Sequence, residues 1–296
     1  MDDVTMKIFF VICTFTILLG PVEVFGELSQ WELKGTIQSI RFYKAACGAH
    51  DKGDYERAVT LYRKPAEAGM AEAQIALSAL YLKGDGVPMD YREAMRWLQL
   101  PADLGNTIAL HNLASMYYNG LGVTTDKQAA MQRFQSAAKQ GLASSQYVLG
   151  MAYYEGWVDP KDDEVAREWF QRAANQNHAD ALYMLGSMYE NVVPVDLKKA
   201  KQSYQRAARQ YRTEFRFGKA TPALKLGHMY RNGQGVPKNE KTARKWYIRA
   251  AKMGQMEAQS LLGDMYDNGG EIPEEHRKAV QWYLYPDCPN WPRSAR

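Results

Sequence analysis

The chain has 296 residues, of which 46% are hydrophobic and 24% are charged, a balance typical of folded rather than disordered proteins. Length alone allows one or two domains with a large core. The formal net charge at pH 7 is +4, which is too small an excess to indicate nucleic-acid binding by itself, so we expect no nucleic acid among the partners.

Residues 1–26 are predicted to be a cleaved secretory signal peptide. Lys7 precedes an apolar run over residues 8–19, and small or apolar residues end the segment at Gly26. The run is shorter than the roughly 20 apolar residues that cross a membrane, so an uncleaved anchor is the weaker alternative.

The start of this segment allows two interpretations, because initiation at Met6 instead of Met1 would give a more ordinary signal. Removal of residues 1–26 leaves 36 basic and 30 acidic residues, a balance of +6. No later stretch is long and apolar enough to span a membrane, so we expect no membrane span after signal cleavage.

A period of 36 residues dominates the rest of the chain. In each unit a leucine is followed by a small residue, a tyrosine stands four residues after the leucine, and a glycine three residues after the tyrosine, except at Val192. The leucines are Leu77, Leu113, Leu149, Leu185, Leu226 and Leu262, and the tyrosines are Tyr81, Tyr117, Tyr153, Tyr189, Tyr230 and Tyr266. The second half of each unit begins with Asp54, Asp90, Asp126, Asp162, Asp196, Asn239 or Glu275.

These spacings predict a helical hairpin in every unit, because residues three and four apart share a helix face. The glycine is predicted to end the first helix, and the Asp or Asn to cap the second. Asp90 and Glu93 also predict a capping box. The small residues let the two helices approach closely, and because one hairpin cannot bury its apolar face alone, the units must stack into a solenoid.

The pattern resembles that of the Sel-one-like repeats (SLR), relatives of the tetratricopeptide repeats. Residues 220–255 match A-x-x-x-L-G-x-x-Y-x-x-G-x-G-V-x-x-D-x-x-x-A-x-x-W-Y-x-x-A-A-x-x-G almost throughout, and the resemblance covers about residues 50–287. It implies an all-α fold, a right-handed superhelical solenoid of stacked antiparallel helix pairs with about seven 36-residue repeats. Proteins of this kind are adaptors that bind other proteins, and many bacterial ones are exported for envelope assembly or host interaction.

The predicted organisation places N-terminal capping helices and a degenerate first repeat in residues 27–70. Six repeats follow over residues 71–287, and residues 288–296 form a tail. The full hairpins are predicted at 71–106, 107–142, 143–178, 179–219, 220–255 and 256–287.

The unit at 179–219 departs from the pattern. Its inter-helix loop is shorter by two residues, and residues 211–219 add material before the next unit. Residues 196–219 carry a net charge of +6, with Arg209, Arg212 and Arg216 at helical spacing. Either this stretch binds an acidic partner, nucleic acid or anionic lipid, or it is an extended second helix with a solvated basic face.

The first-helix residues that face away from Leu and Tyr are predicted to line a concave, partner-binding surface. With the three arginines, they complete the candidate partner-binding set: Glu155, His228, Arg231 and Asp264.

Motifs that suggest enzyme chemistry have simpler explanations. Gly233-Gln234-Gly235 resembles a phosphate loop, but no strand precedes it and the same turn recurs in other units. Ser136-x-x-Lys139 matches a motif of penicillin-recognising enzymes but lacks their Ser-Asp-Asn and Lys-Thr-Gly companions. We therefore predict that the protein is not an enzyme and has no catalytic residues or cofactor; a penicillin-binding or cell-wall enzyme, or a regulator of an envelope enzyme, is the alternative.

The histidines and cysteines do not predict a metal site, and no metal is expected. Cys47 and His50 form a lone pair with no second pair of ligands nearby. Cys47 and Cys288 are predicted to lie at opposite ends of the stack, much farther apart than the roughly 7 Å a disulfide allows, so no intramolecular disulfide is predicted.

The signal peptide and the repeats together predict an exported adaptor, bacterial periplasmic or secreted, with protein partners.

Overall fold

The structure is a computed structural model that describes residues 30–157, 161–192 and 195–267. Within these ranges the chain forms thirteen α-helices and no β-strand. The predicted signal peptide, Cys288, Glu275 and the tail lie outside the described residues. The helices are α1 (Gln30–Asp51), α2 (Tyr55–Glu67), α3 (Ala71–Lys83), α4 (Tyr91–Asp103), α5 (Thr107–Asn119), α6 (Lys127–Lys139), α7 (Ala143–Glu155), α8 (Asp163–Asn175), α9 (Ala179–Asn191), α10 (Leu197–Arg216), α11 (Thr221–Asn232), α12 (Glu240–Lys252) and α13 (Met256–Asp267).

The helices fall into two compact units that divide between Pro101 and Ala102, near the C-terminal end of α4. In the first unit, α1 pairs with α2, and α2 packs on α3. In the second, the hairpins α5–α6, α7–α8, α9–α10 and α11–α12 follow one another, and each second helix packs on the first helix of the next hairpin. This is the all-α solenoid of stacked helix pairs that the repeat predicted.

The predicted helix ends are confirmed where the structure describes them. First helices end at left-handed Gly84, Gly120, Gly156 and Gly233, whose φ angles lie between 68° and 77°. Second helices begin where an Asp or Asn side chain accepts a hydrogen bond from a backbone amide in the first turn. These caps are Asp54, Asp90, Asp126, Asp162, Asp196 and Asn239.

The predicted capping box at the start of α4 is half wrong. Asp90 accepts hydrogen bonds from the amides of Arg92 and Glu93, at 2.9 and 3.1 Å. The Glu93 carboxylate does not return a bond to the Asp90 amide, because it binds the Arg96 guanidinium at 2.8 Å instead. The Asp90 amide donates to the carbonyl of Tyr81.

The glycines that follow Leu149, Leu185 and Leu226 make room for an aromatic ring on the second helix of the same hairpin. A Cβ atom added at Gly150 would lie 2.5 Å from the Phe170 ring, and one at Gly186 would lie 2.6 Å from the Tyr204 ring. The close helix approach predicted from the sequence is therefore confirmed, and it explains why a full side chain does not fit at these positions.

Helix α10 is the irregular element of the repeat. It has 20 residues, whereas α2, α4, α6, α8 and α12 each have 13. The additional residues, 210–216, are called the α10 extension below. Tyr211 anchors the extension, since its side chain is 2% exposed and its hydroxyl donates to Asp180 Oδ1 of α9 at 2.6 Å. The predicted extended second helix is thus confirmed.

Candidate partner-binding surface

The α10 extension changes where the next hairpin docks. A Cβ atom on Gly86, in the turn after α3, would lie 2.3 Å from the backbone of Tyr55, the first residue of α2. The equivalent Cβ on Gly235, in the turn after α11, would lie 2.5 Å from Tyr204, the eighth residue of α10. The contact has therefore moved seven residues along the supporting helix, or about 10 Å at 1.5 Å per residue.

A pair of arginine–tyrosine contacts shows the same shift. Arg63 of α2 donates to the hydroxyl of Tyr81 at 3.2 Å, and Arg212 of α10 donates to the hydroxyl of Tyr230 at 2.8 Å. Arg63 is the ninth residue of its helix and Arg212 the sixteenth of its own. The extension therefore supplies the docking surface that the middle of a regular second helix supplies elsewhere.

Because the next hairpin is displaced, it leaves the first turns of α10 open. A groove of about 570 Å³ lies between these turns and the loop that joins α11 to α12. Lys201 and Lys238 line it from opposite sides, and both are exposed. Leu197, at the N-terminal end of the groove, is 66% exposed. The groove therefore combines an exposed apolar side chain, Leu197, with the ammonium groups of two exposed lysines.

A chain of hydrogen bonds connects the groove to the first-helix face. Tyr183 donates to Gln234 Oε1 at 3.0 Å, and Gln234 Nε2 donates to the Tyr204 hydroxyl at 3.3 Å. Tyr204 in turn donates to Glu190 Oε2 at 2.8 Å. Burial raises the pKa of Tyr204, and the bond to Glu190 raises it further, so the phenol stays neutral and acts as a donor.

The three arginines predicted to bind a partner have different environments. Arg209 and Arg216 are exposed, and Arg209 bonds only weakly to its own helix, at 3.4 Å from the carbonyl of Gln205. Arg212 is half-buried against Tyr230. The equivalent contact between Arg63 and Tyr81 indicates that Arg212 has a packing role. The structure thus separates two outward-facing arginines from one that holds the next hairpin in place.

Other cations of the basic stretch are also engaged within the fold. Arg206 donates to the carbonyl of Ala174 at 2.8 Å and to Asn177 at 3.1 Å, where it supports the end of α8. Lys199 pairs with Asp196, the cap of α10, at 3.4 Å. The excess of +6 over residues 196–219 therefore overstates the charge that a partner could meet.

The four predicted first-helix residues do not form one cluster. Glu155 lies at the end of α7, where it accepts a hydrogen bond from Trp157 Nε1 at 2.8 Å. His228 and Arg231 lie on α11, and Asp264 is exposed on α13.

His228 is held between two neighbours, with Nδ1 3.3 Å from the Tyr247 hydroxyl and Nε2 3.3 Å from Glu257 Oε1. Burial lowers the pKa of His228, and Glu257 opposes the effect. His228 thereby joins three consecutive helices, and on α12 the nearby charge of Arg231 opposes the rise that burial causes in the pKa of Tyr247.

A buried polar column in the middle of the second unit was missed from the sequence. His111 Nδ1 lies 2.9 Å from the hydroxyl of the fully buried Ser145. Tyr147 stacks on His178 with ring centroids 5.0 Å apart, and burial raises the pKa of Tyr147 to about 12. His178 also caps α9 by accepting a bond from the Ala181 amide. No local pattern signals this column, because its members come from separate repeats.

The motifs tested for enzyme chemistry are accounted for by the fold. Gly233-Gln234-Gly235 is the turn after α11, as predicted. Ser136 and Lys139 lie exposed on α6, and Ser136 Oγ accepts a weak bond from Gln140 at 3.4 Å.

Three further features concern metal, membrane and disulfide sites in the described part of the chain. The described ranges hold no group of three His, Cys, Asp or Glu side chains suited to a metal ion. No helix in the described part of the chain is long and apolar enough to cross a membrane. Cys47 is half-buried and accepts a hydrogen bond from Tyr62, while its predicted lack of a bond to Cys288 stays a prediction.

A family model described as the Sel1 repeat matches seven segments of the chain. They are residues 45–70, 71–106, 107–142, 143–178, 179–211, 223–255 and 257–285. The matches cover well over half of the sequence, so the chain belongs to the Sel1 repeat family. Residues 212–222 fall between two matches, which places most of the α10 extension outside the family pattern.

Solved structures show the same relationship. The chain is similar to a Sel1 repeat protein from Oxalobacter formigenes, with 28% identity and a TM-score of 0.62 over 82% of this chain and 97% of that one. It is similar to c5321, a protective antigen from uropathogenic Escherichia coli, with 26% identity and a TM-score of 0.48 over 77% of this chain and 56% of that one. Immunity protein Pa5087 from Pseudomonas aeruginosa has 23% identity and a TM-score of 0.50 over 79% and 84% of the two chains. No curated protein matches the chain.

Proposed function

We propose that the protein is an exported adaptor that binds an acidic segment of a partner protein along α10. Sel1 repeat proteins typically serve as scaffolds for protein–protein interaction, and their scaffold is generally non-catalytic. The apolar run in residues 8–19 supports export, and the Oxalobacter relative supports a bacterial origin. Envelope assembly and host interaction, including a virulence role, are the two settings for such an adaptor.

The displaced hairpin is the observation that carries this proposal. Displacement opens the groove along the first turns of α10, where Lys201 and Lys238 are exposed, and Arg209 is exposed about one turn beyond the lining residue Gln205. A partner segment with carboxylates would meet three cations there, and its apolar side chains would contact Leu197. The other second helices in the described ranges have 13 residues, and on one of them, α2, the following turn meets the first helical turn at Tyr55.

Site-specific photo-crosslinking tests the proposal. A photoreactive amino acid is placed at position 209, and separately at position 139, which follows the alanine pair of α6 as Arg209 follows that of α10. Both positions are exposed and basic, so Lys139 is a matched control on a regular repeat. The proteins are exposed to bacterial envelope and host-cell extracts in parallel.

A saturable protein adduct from position 209, absent from position 139, is expected. If the adduct forms in the envelope extract, a role in envelope assembly is favoured. If it forms in the host-cell extract, a role in host interaction is favoured. The charge reversal K201E should weaken the adduct without changing the helical circular dichroism. Equal labelling from both positions would contradict a binding surface on α10.

A further inference from the structure

The corner where α10 and α12 end carries exposed apolar side chains. Phe217, the residue that ends α10, is 82% exposed. Met253, the residue after α12, is 39% exposed, and Met256, the first residue of α13, is 81% exposed. A group of exposed large apolar side chains marks a contact surface, whereas single scattered ones do not.

Aromatic packing joins the C-terminal end of α10 to the middle of α12. Phe215 of the α10 extension meets Trp246 of α12 edge to face, with ring centroids 5.3 Å apart. The Arg249 guanidinium lies over both rings, 4.5 Å from Trp246 and 6.0 Å from Phe215. Residues 215–219 and 246–253 therefore form one surface, called the basic corner below.

Positive charge surrounds the apolar side chains of the basic corner. Arg216 and Lys219 flank Phe217, and Arg249 and Lys252 precede Met253. All four cations are exposed, Glu214 pairs with Lys219 at 3.4 Å, and the exposed Glu257, which follows Met256, pairs with His228. The combination of apolar tips, a half-buried Trp and a ring of cations complements a surface with anionic headgroups above an apolar layer.

We propose that the basic corner binds an anionic lipid surface, with Phe217 inserted at the level of the headgroups. Phe217 and Met256 are more than 80% exposed, so their side chains are not enclosed in a cleft. Anchors for a protein partner lie mostly in packed, concave pockets, whereas a deformable lipid layer accepts a projecting side chain. Arg216, Lys219, Arg249 and Lys252 would neutralise headgroup charge, and the half-buried Trp246 is of a residue type that is enriched at membrane interfaces. This goes beyond the adaptor function, because it places the adaptor on a membrane surface.

Vesicle flotation with the full chain tests this inference. Partitioning is compared between pure phosphatidylcholine vesicles and vesicles with roughly a third phosphatidylglycerol. The test variants are F217S and R216E at the C-terminal end of α10. The matched controls are L197S and K198E, which remove an exposed apolar residue and reverse a charge at the opposite end of the same helix. The apolar run in residues 8–19 is the same in every variant, so its contribution cancels.

The expected result is at least about tenfold stronger partitioning onto the anionic vesicles, declining as salt screens the headgroups. R216E should lower that partitioning by about tenfold or more and F217S by about fivefold, at unchanged circular dichroism. Both controls should stay within about twofold of the unmodified chain. Equal partitioning onto the two vesicle types would overturn the inference, and so would controls that lose as much as the test variants. A basic corner that binds an acidic protein instead would leave vesicle partitioning unchanged in all four variants.

Discussion

Hairpins α5–α6 and α9–α10 are built on the same positions but differ in how the second helix ends. Helix α6 ends at Lys139, directly after its alanine pair, while α10 continues for seven residues past the equivalent Arg209. Inside each hairpin the packing is the same, with a small residue on the first helix beneath an aromatic ring on the second. The docking of the neighbour also differs, because the Gly235 turn meets α10 about 10 Å farther along the helix than the Gly86 turn meets α2.

The comparison shows that a repeat protein can acquire a new surface without losing its core. The extension keeps its own apolar anchor, Tyr211, and its own version of the arginine–tyrosine contact at Arg212. The surface freed by displacement then lies on the first turns of α10, in the groove beside Leu197. Irregularity in the repeat therefore identifies the candidate site more sharply than its charge does.

The largest expected effect comes from removing the anchor of the extension. Tyr211→Ala should lower the free energy of unfolding by about 3–5 kcal/mol, because it empties a buried site and leaves Asp180 without its donor. Tyr211→Phe keeps the ring and should cost about 1–2 kcal/mol. Urea unfolding curves measure both values. A Tyr211→Ala variant as stable as the parent would show that the extension does not pack on α9.

A glycine in the loop of the displaced hairpin tests the docking contact itself. Gly235 has φ of 68°, and its Cβ would lie 2.5 Å from Tyr204, so Gly235→Ala should cost about 2–4 kcal/mol. Gly254 has φ of 85° but open space around it, so Gly254→Ala should cost only about 1 kcal/mol. Thermal unfolding of the two variants gives the difference, and equal costs would argue against a tight contact at Tyr204.

The two neighbouring arginines should respond in opposite ways. Arg212→Ala removes a hydrogen bond and a ring contact with Tyr230, which should cost about 1 kcal/mol of unfolding free energy. Arg209→Ala should change it by less than about 0.5 kcal/mol, because the side chain is exposed. For the crosslinked partner the order should reverse, with the larger loss of affinity at Arg209. Stability and affinity falling together at one arginine would contradict the division of roles.

The smallest expected effect is a dependence on pH. Burial lowers the pKa of His111 and His178 below the usual 6.5, so below that pH the folded protein binds fewer protons than the unfolded chain does. Stability is therefore complete above pH 6.5 and falls as the pH decreases below it. His178→Asn keeps a side chain that can cap α9 but cannot titrate, so its unfolding free energy should fall less steeply with acid. An unchanged slope between pH 7 and pH 5 would show that His178 does not contribute.

The hairpins were predictable because their signals are local. Leu, the small residue, Tyr and the capping Gly lie within eight positions of one another, and each acts through helix geometry that the sequence reports directly. The capping box at Asp90 failed for a local reason too, because Arg96 competes for Glu93 one turn later. Short-range competition of this kind is not resolved by a motif alone.

The candidate site was less predictable, since it depends on contacts between residues far apart in the chain. The length of α10 could be predicted from the sequence, but the contact of Gly235 with Tyr204 joins two residues that are 31 positions apart. Arg212 was placed in the partner-binding set because of its charge and helical spacing. Neither feature indicates its contact with Tyr230. The groove lysines Lys201 and Lys238 could be found only once the displacement was known.

The proposed partner surface exists because the α10 extension displaces the next hairpin. Deletion of residues 210–216 is the decisive measurement, because it restores between Ala208 and Gly227 the 12-residue spacing that separates Ala138 from Gly150. We expect a cooperatively folded variant in which the next hairpin covers the groove, with at least about tenfold less crosslinking from position 209. A folded deletion variant that still captures the partner from position 209 at the parent's level would contradict it.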